Sequence, residues 1–67
     1  MIQCLMVSHR DGGYHLIPGT EVEDWSELLD LTEGEPQLIE RVERWNPYTH
    51  AYRLPDGSVY LVAEGAD

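Results

Sequence analysis

The chain has 67 residues and a mass of 7.7 kDa. That length allows one domain, residues 1–67, with a small core, because so short a chain buries only about 60% of the surface its unfolded form exposes. Thirteen acidic residues stand against four arginines and no lysine, for a formal charge of −9. That sign argues against direct nucleic-acid binding, which needs clustered Lys and Arg, and against docking on an anionic membrane. A basic partner fits it.

Cys4 is the one cysteine. It excludes an intrachain disulfide and a cysteine-rich zinc site, and it points to a reducing, cytoplasmic compartment. The apolar run from Met1 to Val7 lacks a basic lead and is too short for a secretory signal. No stretch approaches the length needed to span a bilayer. The apolar fraction is 42%, and Trp25, Trp45, Tyr14, Tyr48, Tyr52 and Tyr60 supply large units of burial, so a folded chain is expected.

In chain order, Ile2–Ser8 reads as a strand that is apolar on both faces, as a central strand is. His9–Gly13 reads as a turn around Asp11-Gly12. Tyr14–Ile17 follows as a short second strand, stopped by Pro18-Gly19 and able to form a hairpin with the first. Thr20 suits an N-cap, with Glu23 three residues on to close a capping box. Val22, Trp25, Leu28, Leu29 and Leu31 recur at helical spacing, which predicts a helix over 21–31. Glu23 and Glu27 would then be a repulsive pair one turn apart.

Thr32–Glu35 reads as a loop. Pro36 suits the first position of a second helix, and Leu38, Ile39, Val42 and Trp45 form an apolar stripe ended by Asn46-Pro47. Glu40 and Arg44 would pair one turn apart. A strand over 37–45 is the rival, disfavoured by the adjacent Leu38-Ile39, which breaks alternation. Tyr48–Leu54 and Ser58–Ala63 form the clearest hairpin. Leu54-Pro55-Asp56-Gly57 fits a type I turn with Gly57 as the left-handed residue of a bulge. That register sets Tyr52 opposite Tyr60 and Ala51 opposite Leu61. Ala51, Val59, Leu61 and Ala63 form the expected core face; the face with His50, Tyr52, Tyr60 and Val62 is either covered by a helix or left as an aromatic patch. Residues 65–67 should fray. The expected fold is a small two-layer α+β domain in the order β-β-α-α-β-β, two hairpins forming an antiparallel or mixed sheet packed by one or two helices.

The histidines His9, His15 and His50, with Cys4 and Asp11, match no zinc spacing, so neither a metal nor another cofactor is expected. Cys4 within an apolar strand reads as an inert thiol rather than a nucleophile. The acids of residues 21–35 lack the twelve-residue calcium loop with its central glycine. Gly12-Gly13 opens no helix and so makes no phosphate loop. Catalysis is not expected.

The charge is concentrated. Residues 21–40 carry Glu21, Glu23, Asp24, Glu27, Asp30, Glu33, Glu35 and Glu40, eight carboxylates with no Lys or Arg, a net −8. Spaced along an exposed helix face, they would resemble a row of phosphates in charge alone. The implied role is a small interaction module that inhibits or regulates a basic, nucleic-acid-handling protein. The expected contacts are Glu21, Glu23, Asp24, Glu27, Asp30, Glu33 and Glu35, with Trp25 or Tyr52 as an anchor. The alternative is a structural accessory subunit or homodimer that uses the aromatic hairpin face and a sheet edge. The charge would then serve solubility.

Overall fold

A computed structural model describes residues 3–42 and 48–64. The chain forms a small mixed α+β domain, a five-stranded antiparallel sheet with one helix laid on it. Strands β1 (Cys4–Arg10), β2 (Gly13–Val22), β3 (Gln37–Arg41), β4 (His50–Arg53) and β5 (Val59–Val62) lie in the order β2-β1-β5-β4-β3, and α1 (Trp25–Asp30) falls between β2 and β3.

The β1–β2 hairpin turns at Asp11-Gly12, with φ of 54° and 75°. Two left-handed residues make the tight two-residue turn that matches strand twist. β1 is central, with β2 on one side and β5 on the other. Its alternating apolar faces are both buried: Cys4 and Met6 pack on one side of the sheet, Val7 on the other. The β4–β5 hairpin has the register read from the sequence, Tyr52 opposite Tyr60 and Ala51 opposite Leu61. In its turn, the Gly57 N–H donates to the Leu54 carbonyl at 2.9 Å, the Leu54 N–H donates to Ser58 at 2.8 Å, and Gly57 sits at φ 95°.

Three expectations need correction. β2 does not stop at Ile17. It runs on to Val22, and the register with β1 jumps from Val7–Leu16 to Leu5–Glu21. The four residues Ile17 to Thr20, set against Met6 alone on β1, form a wide irregularity on an outer strand, where a proline costs no ladder bond. Gly19, at φ 84°, supplies the left-handed residue within it. Thr20 is consumed there: its hydroxyl donates to the Ile17 carbonyl at 2.7 Å and accepts from the Met6 N–H at 3.1 Å. It is therefore not the helix cap.

The helix is shorter than expected, Trp25–Asp30 rather than 21–31. Asp24 is its N-cap, extended in backbone and accepting from the Glu27 N–H at 3.2 Å. Glu21 is therefore a strand residue, and Glu23 and Glu27 are not a pair on one helix face.

The second helix is a strand. Gln37–Arg41 forms β3 on β4, with a register shift between Leu38 and Glu40. The extra residue, Ile39, explains the broken alternation that favoured a helix. A bulge puts two consecutive residues opposite one partner, so Ile39 packs with Val42 on one face while Leu38 stays with Tyr52 on the other. The order is thus β-β-α-β-β-β, a hairpin and a meander rather than two hairpins. The expected Ile2 strand start, Arg44 pairing, Trp45 stripe and frayed residues 65–67 lie outside the described residues.

The core has two halves, one on each side of the sheet. Trp25, Leu28 and Leu29 of α1 cover Cys4, Leu54, Tyr60 and Val62. The hairpin face with His50, Tyr52, Tyr60 and Val62 is therefore the one the helix covers. On the other side, Val7, Ala51, Val59 and Leu61 pack with Tyr14 and Val42. Tyr14 belongs to one outer strand and Val42 follows the other. In a flat sheet those strands would be about 19 Å apart, four spacings of roughly 4.8 Å. Tyr14 nonetheless lies close enough to Glu40 of β3 for that carboxylate, after burial, to raise its phenol pKa, so the sheet curls on this side.

Candidate functional site

The connection from β2 to β3 runs from one outer strand of the sheet to the other. Its anchoring is local and apolar. The Trp25 ring lies 5.6 Å from Tyr52 and 5.9 Å from Tyr60, centroid to centroid, and the Gln3 side chain accepts from the Trp25 N–H at 3.1 Å. At the far end, the Leu31 and Thr32 N–H groups donate to Leu28 and Leu29, and the Thr32 hydroxyl donates to the Leu28 carbonyl at 3.0 Å. With Trp25, Leu28 and Leu29 turned inward, the charged side chains are left outside.

Glu23, Asp24, Glu27, Asp30, Glu33 and Glu35 are all exposed along this crossover. Among the described residues, none of them makes an ion pair, since the salt bridge present joins His50 and Glu64. Six of the eight acids of the block are thus displayed along one connection. The other two are placed elsewhere. Glu21 lies opposite Leu5 in β2, on the curled side, and its charge adds to burial, the larger cause, in raising the Tyr48 phenol pKa. Glu40 lies opposite Ala51 in β3, on that same side and next to Tyr14.

The two aromatic anchor candidates are committed to packing. Trp25 is buried, 8% exposed, in the core under the helix. Tyr52 is half-buried, and its hydroxyl donates to Glu64 Oε2 at 2.6 Å. The surface of the crossover is therefore built of carboxylates, with Leu31 as its one large exposed apolar side chain, 81% accessible.

A polar clasp that the sequence did not announce closes the free end of the β4–β5 hairpin. Glu64 Oε2 lies 3.2 Å from His50 Nδ1 and also accepts the hydrogen bond from the Tyr52 hydroxyl. Thr49 Oγ1 sits 2.7 Å from the same His50 nitrogen and accepts from the Glu64 N–H at 3.0 Å. The bond to Glu64 is the first cause of the Tyr52 phenol being pushed up to about 12, ahead of burial. Thr49 and Glu64 are fifteen residues apart, so only the hairpin register brings them together.

Cys4 is fully enclosed, and burial pushes its thiol up to about 11. It is protonated at neutral pH, and a thiol in that state is a poor nucleophile. Among the described residues, no group of three His, Cys, Asp or Glu side chains is placed to hold a metal ion, and no helix is long and apolar enough to cross a membrane. No family model matches the chain, and no curated protein or solved structure is significantly similar to it.

Proposed function

We propose that this chain is a small acidic interaction module that acts in the cytoplasm by binding a basic protein. The partner is of the nucleic-acid-handling kind, and the module inhibits or regulates it by occupying the surface that would otherwise receive phosphates. The observation that carries this reading is the crossover: six exposed carboxylates on one connection without a neutralising partner among the described residues. Such a surface raises the local concentration of cationic partners and steers their approach. Glu23, Asp24, Glu27, Asp30, Glu33 and Glu35 are the contact residues. Glu21 sits apart on the curled side and joins them only if the partner wraps around the outer strand.

The test is affinity capture from native lysate with two baits, the natural chain and a reversal variant carrying Glu23→Lys, Glu27→Lys and Asp30→Lys. Asp24 is left in place because it caps the helix. The expected result is one stoichiometric basic protein, released from the natural bait between about 0.1 and 1 M salt as screening becomes severe, and absent from the variant. A partner retained equally by both baits overturns the reading.

A second reading has its own support. β3 is an outer strand with Leu38 half-exposed, 50% accessible, and an open edge invites another strand. In that case the chain is a homodimer or accessory subunit. Sedimentation at micromolar concentration separates the two, since an edge-to-edge dimer persists in high salt.

A further inference from the structure

The dipeptide Asp-Gly occurs twice, at Asp11-Gly12 and Asp56-Gly57, each time exposed and in a hairpin turn, yet the two turns hold it differently. We propose that Asp11-Gly12 is a site of spontaneous modification, where a cyclic imide converts the peptide bond to a β-aspartyl linkage, and that the fold protects the same pair at Asp56-Gly57.

In this reaction the Gly12 nitrogen attacks Asp11 Cγ. A C–N bond forms, a C–O bond breaks, and one carboxyl oxygen leaves as water, carrying the amide proton and the carboxyl proton. A second water then opens the five-membered ring. Attack at the main-chain carbonyl leaves the chain running through the side-chain carbonyl, with the same atoms and no change of oxidation state. Closure needs a free amide, room beside the glycine, and a backbone that turns the nitrogen toward the side chain.

Asp11-Gly12 meets all three needs. Among the described residues, the Gly12 N–H bonds to no backbone carbonyl. A Cβ built on Gly12 would meet nothing within 4 Å. Asp11 already has φ 54°, the one non-glycine residue described at positive φ, and with Gly12 at 75° the turn is of type I′. A type II′ turn keeps the first residue near φ of about +60° and moves its ψ from about +30° to about −120°. Flipping that single peptide turns the Gly12 nitrogen toward Asp11 Cγ while both strands keep their pairing. Glycine takes the accompanying change in the sign of its φ with little penalty.

Asp56-Gly57 is restrained at each point. The Gly57 N–H donates to the Leu54 carbonyl at 2.9 Å, and turning the peptide breaks that bond. Asp56 Oδ1 accepts from the Ser58 N–H at 2.8 Å, so its carboxyl is already engaged. The same bond holds that carboxyl below its ordinary pKa, and a carboxylate is a poorer electrophile than the acid. At Asp11 the product adds one carbon to the main chain of a two-residue turn. The pairs Arg10–Gly13 and His9–Tyr14 then lose their closure, and the hairpin loosens at its tip.

The test incubates the full chain at neutral pH, folded and in urea. The β-aspartyl linkage is located by electron-transfer fragmentation and by enzymatic methylation of its free α-carboxylate. In the folded chain the product should form at least about tenfold faster at Asp11 than at Asp56, the factor that one or two hydrogen bonds make. In urea the two sites should approach one rate. Asp11→Asn and Asp56→Asn repeat the comparison through the same imide, with ammonia leaving in place of water and no carboxyl to ionise. Asp11→Asn should again convert the faster. Equal rates in the folded chain, product at Asp56 alone, or none at either site would overturn the proposal. A gap that persists undiminished in urea would overturn it as well, by assigning the preference to the neighbouring residues rather than to the fold.

Discussion

The Tyr52 hydroxyl donates to Glu64 Oε2 at 2.6 Å, from β4 to the second residue beyond the end of β5. The bond ties the tail of the last strand to the middle of its neighbour. Because Glu64 is 43% exposed in its side chain, its strength is reduced by solvent. Tyr52→Phe is expected to lower stability by about 1 kcal/mol, measured by urea unfolding at neutral pH. A loss well above that would mean that the whole clasp depends on this one proton.

The same bond sets a pH dependence. The phenols of Tyr14 and Tyr52 are pushed up to about 12 in the folded chain, from 10.0. For Tyr52 the bond to Glu64 leads; for Tyr14 burial leads, followed by the Glu40 carboxylate. Below pH 10 both states hold these protons, and the contribution to stability is complete. Between about pH 10 and pH 12 the unfolded chain ionises first, so stability falls as pH rises. Unfolding curves across that window should show the fall, and Tyr52→Phe should make it shallower. An unchanged slope in the variant would remove Tyr52 from the account.

Tyr14 gives the opposite expectation at neutral pH. Its hydroxyl is enclosed without a hydrogen-bond partner among the described residues. An unmet buried hydroxyl carries a desolvation cost of about 1 kcal/mol or more. Tyr14→Phe keeps the ring and its stacking on His9, 4.5 Å between centroids, and removes the unmet group. The variant is expected to be as stable as the natural chain or more stable by up to about 1 kcal/mol. A clear destabilisation would show that the hydroxyl does bond, in solution, to the Glu40 carboxylate beside it.

Gly34 and Gly12 allow a controlled comparison. Both have positive φ, 93° and 75°, but a Cβ on Gly34 meets Pro55 while one on Gly12 meets nothing within 4 Å. Alanine at Gly12 should cost only backbone strain, about 1 kcal/mol. At Gly34 the same change also pushes the loop off the turn, and its cost should be about 1 kcal/mol greater. Equal losses would mean that the loop and turn separate freely.

Cys4 can report on the whole molecule. It is fully buried beside Trp25 and Tyr60, on a central strand, with a protonated thiol. Modification by a thiol reagent should therefore proceed only through global opening, at a rate that rises with denaturant in step with unfolding. Rapid labelling in native buffer would reveal a local route to β1.

How far the sequence could be read depended on whether each signal was local. The Leu54–Gly57 turn fixes its own register, and Asp11-Gly12 fixes its hairpin, so β1, β4 and β5 were legible from turn chemistry and alternation. Ile39 was misread because a bulge makes the apolar pattern of a strand imitate the adjacent pair of a helix stripe. Pro18-Gly19 looked like a stop because an outer strand can carry an irregularity that a central one cannot. Thr20 and Asp24 both suited a helix cap, and only the contact with Met6 across the hairpin decided between them. The acidity was legible as composition, whereas its sorting into six exposed carboxylates on the crossover and two exposed ones on strands required knowing that Glu21 and Glu40 belong to β2 and β3. The clasp of Thr49, His50, Tyr52 and Glu64 depends on pairing between distant positions and leaves no mark in any short window.

β1 and β5 lie side by side at the middle of the sheet, with Cys4 opposite Val62 and the Ala63 N–H donating to the Gln3 carbonyl at 2.6 Å. Within this sheet β1 is synthesised before β5 and waits for it. Until Val59–Val62 have left the ribosome, Cys4, Leu5 and Val7 have only the β1–β2 hairpin to shelter them, and the helix has only Cys4, Met6 and Val22 to lie on. Contacts this distant in sequence form slowly and late. During translation the protein should pass abruptly from an exposed, chaperone-accessible chain to a finished sheet, and a transcript truncated before Val59 should yield only material for proteolysis.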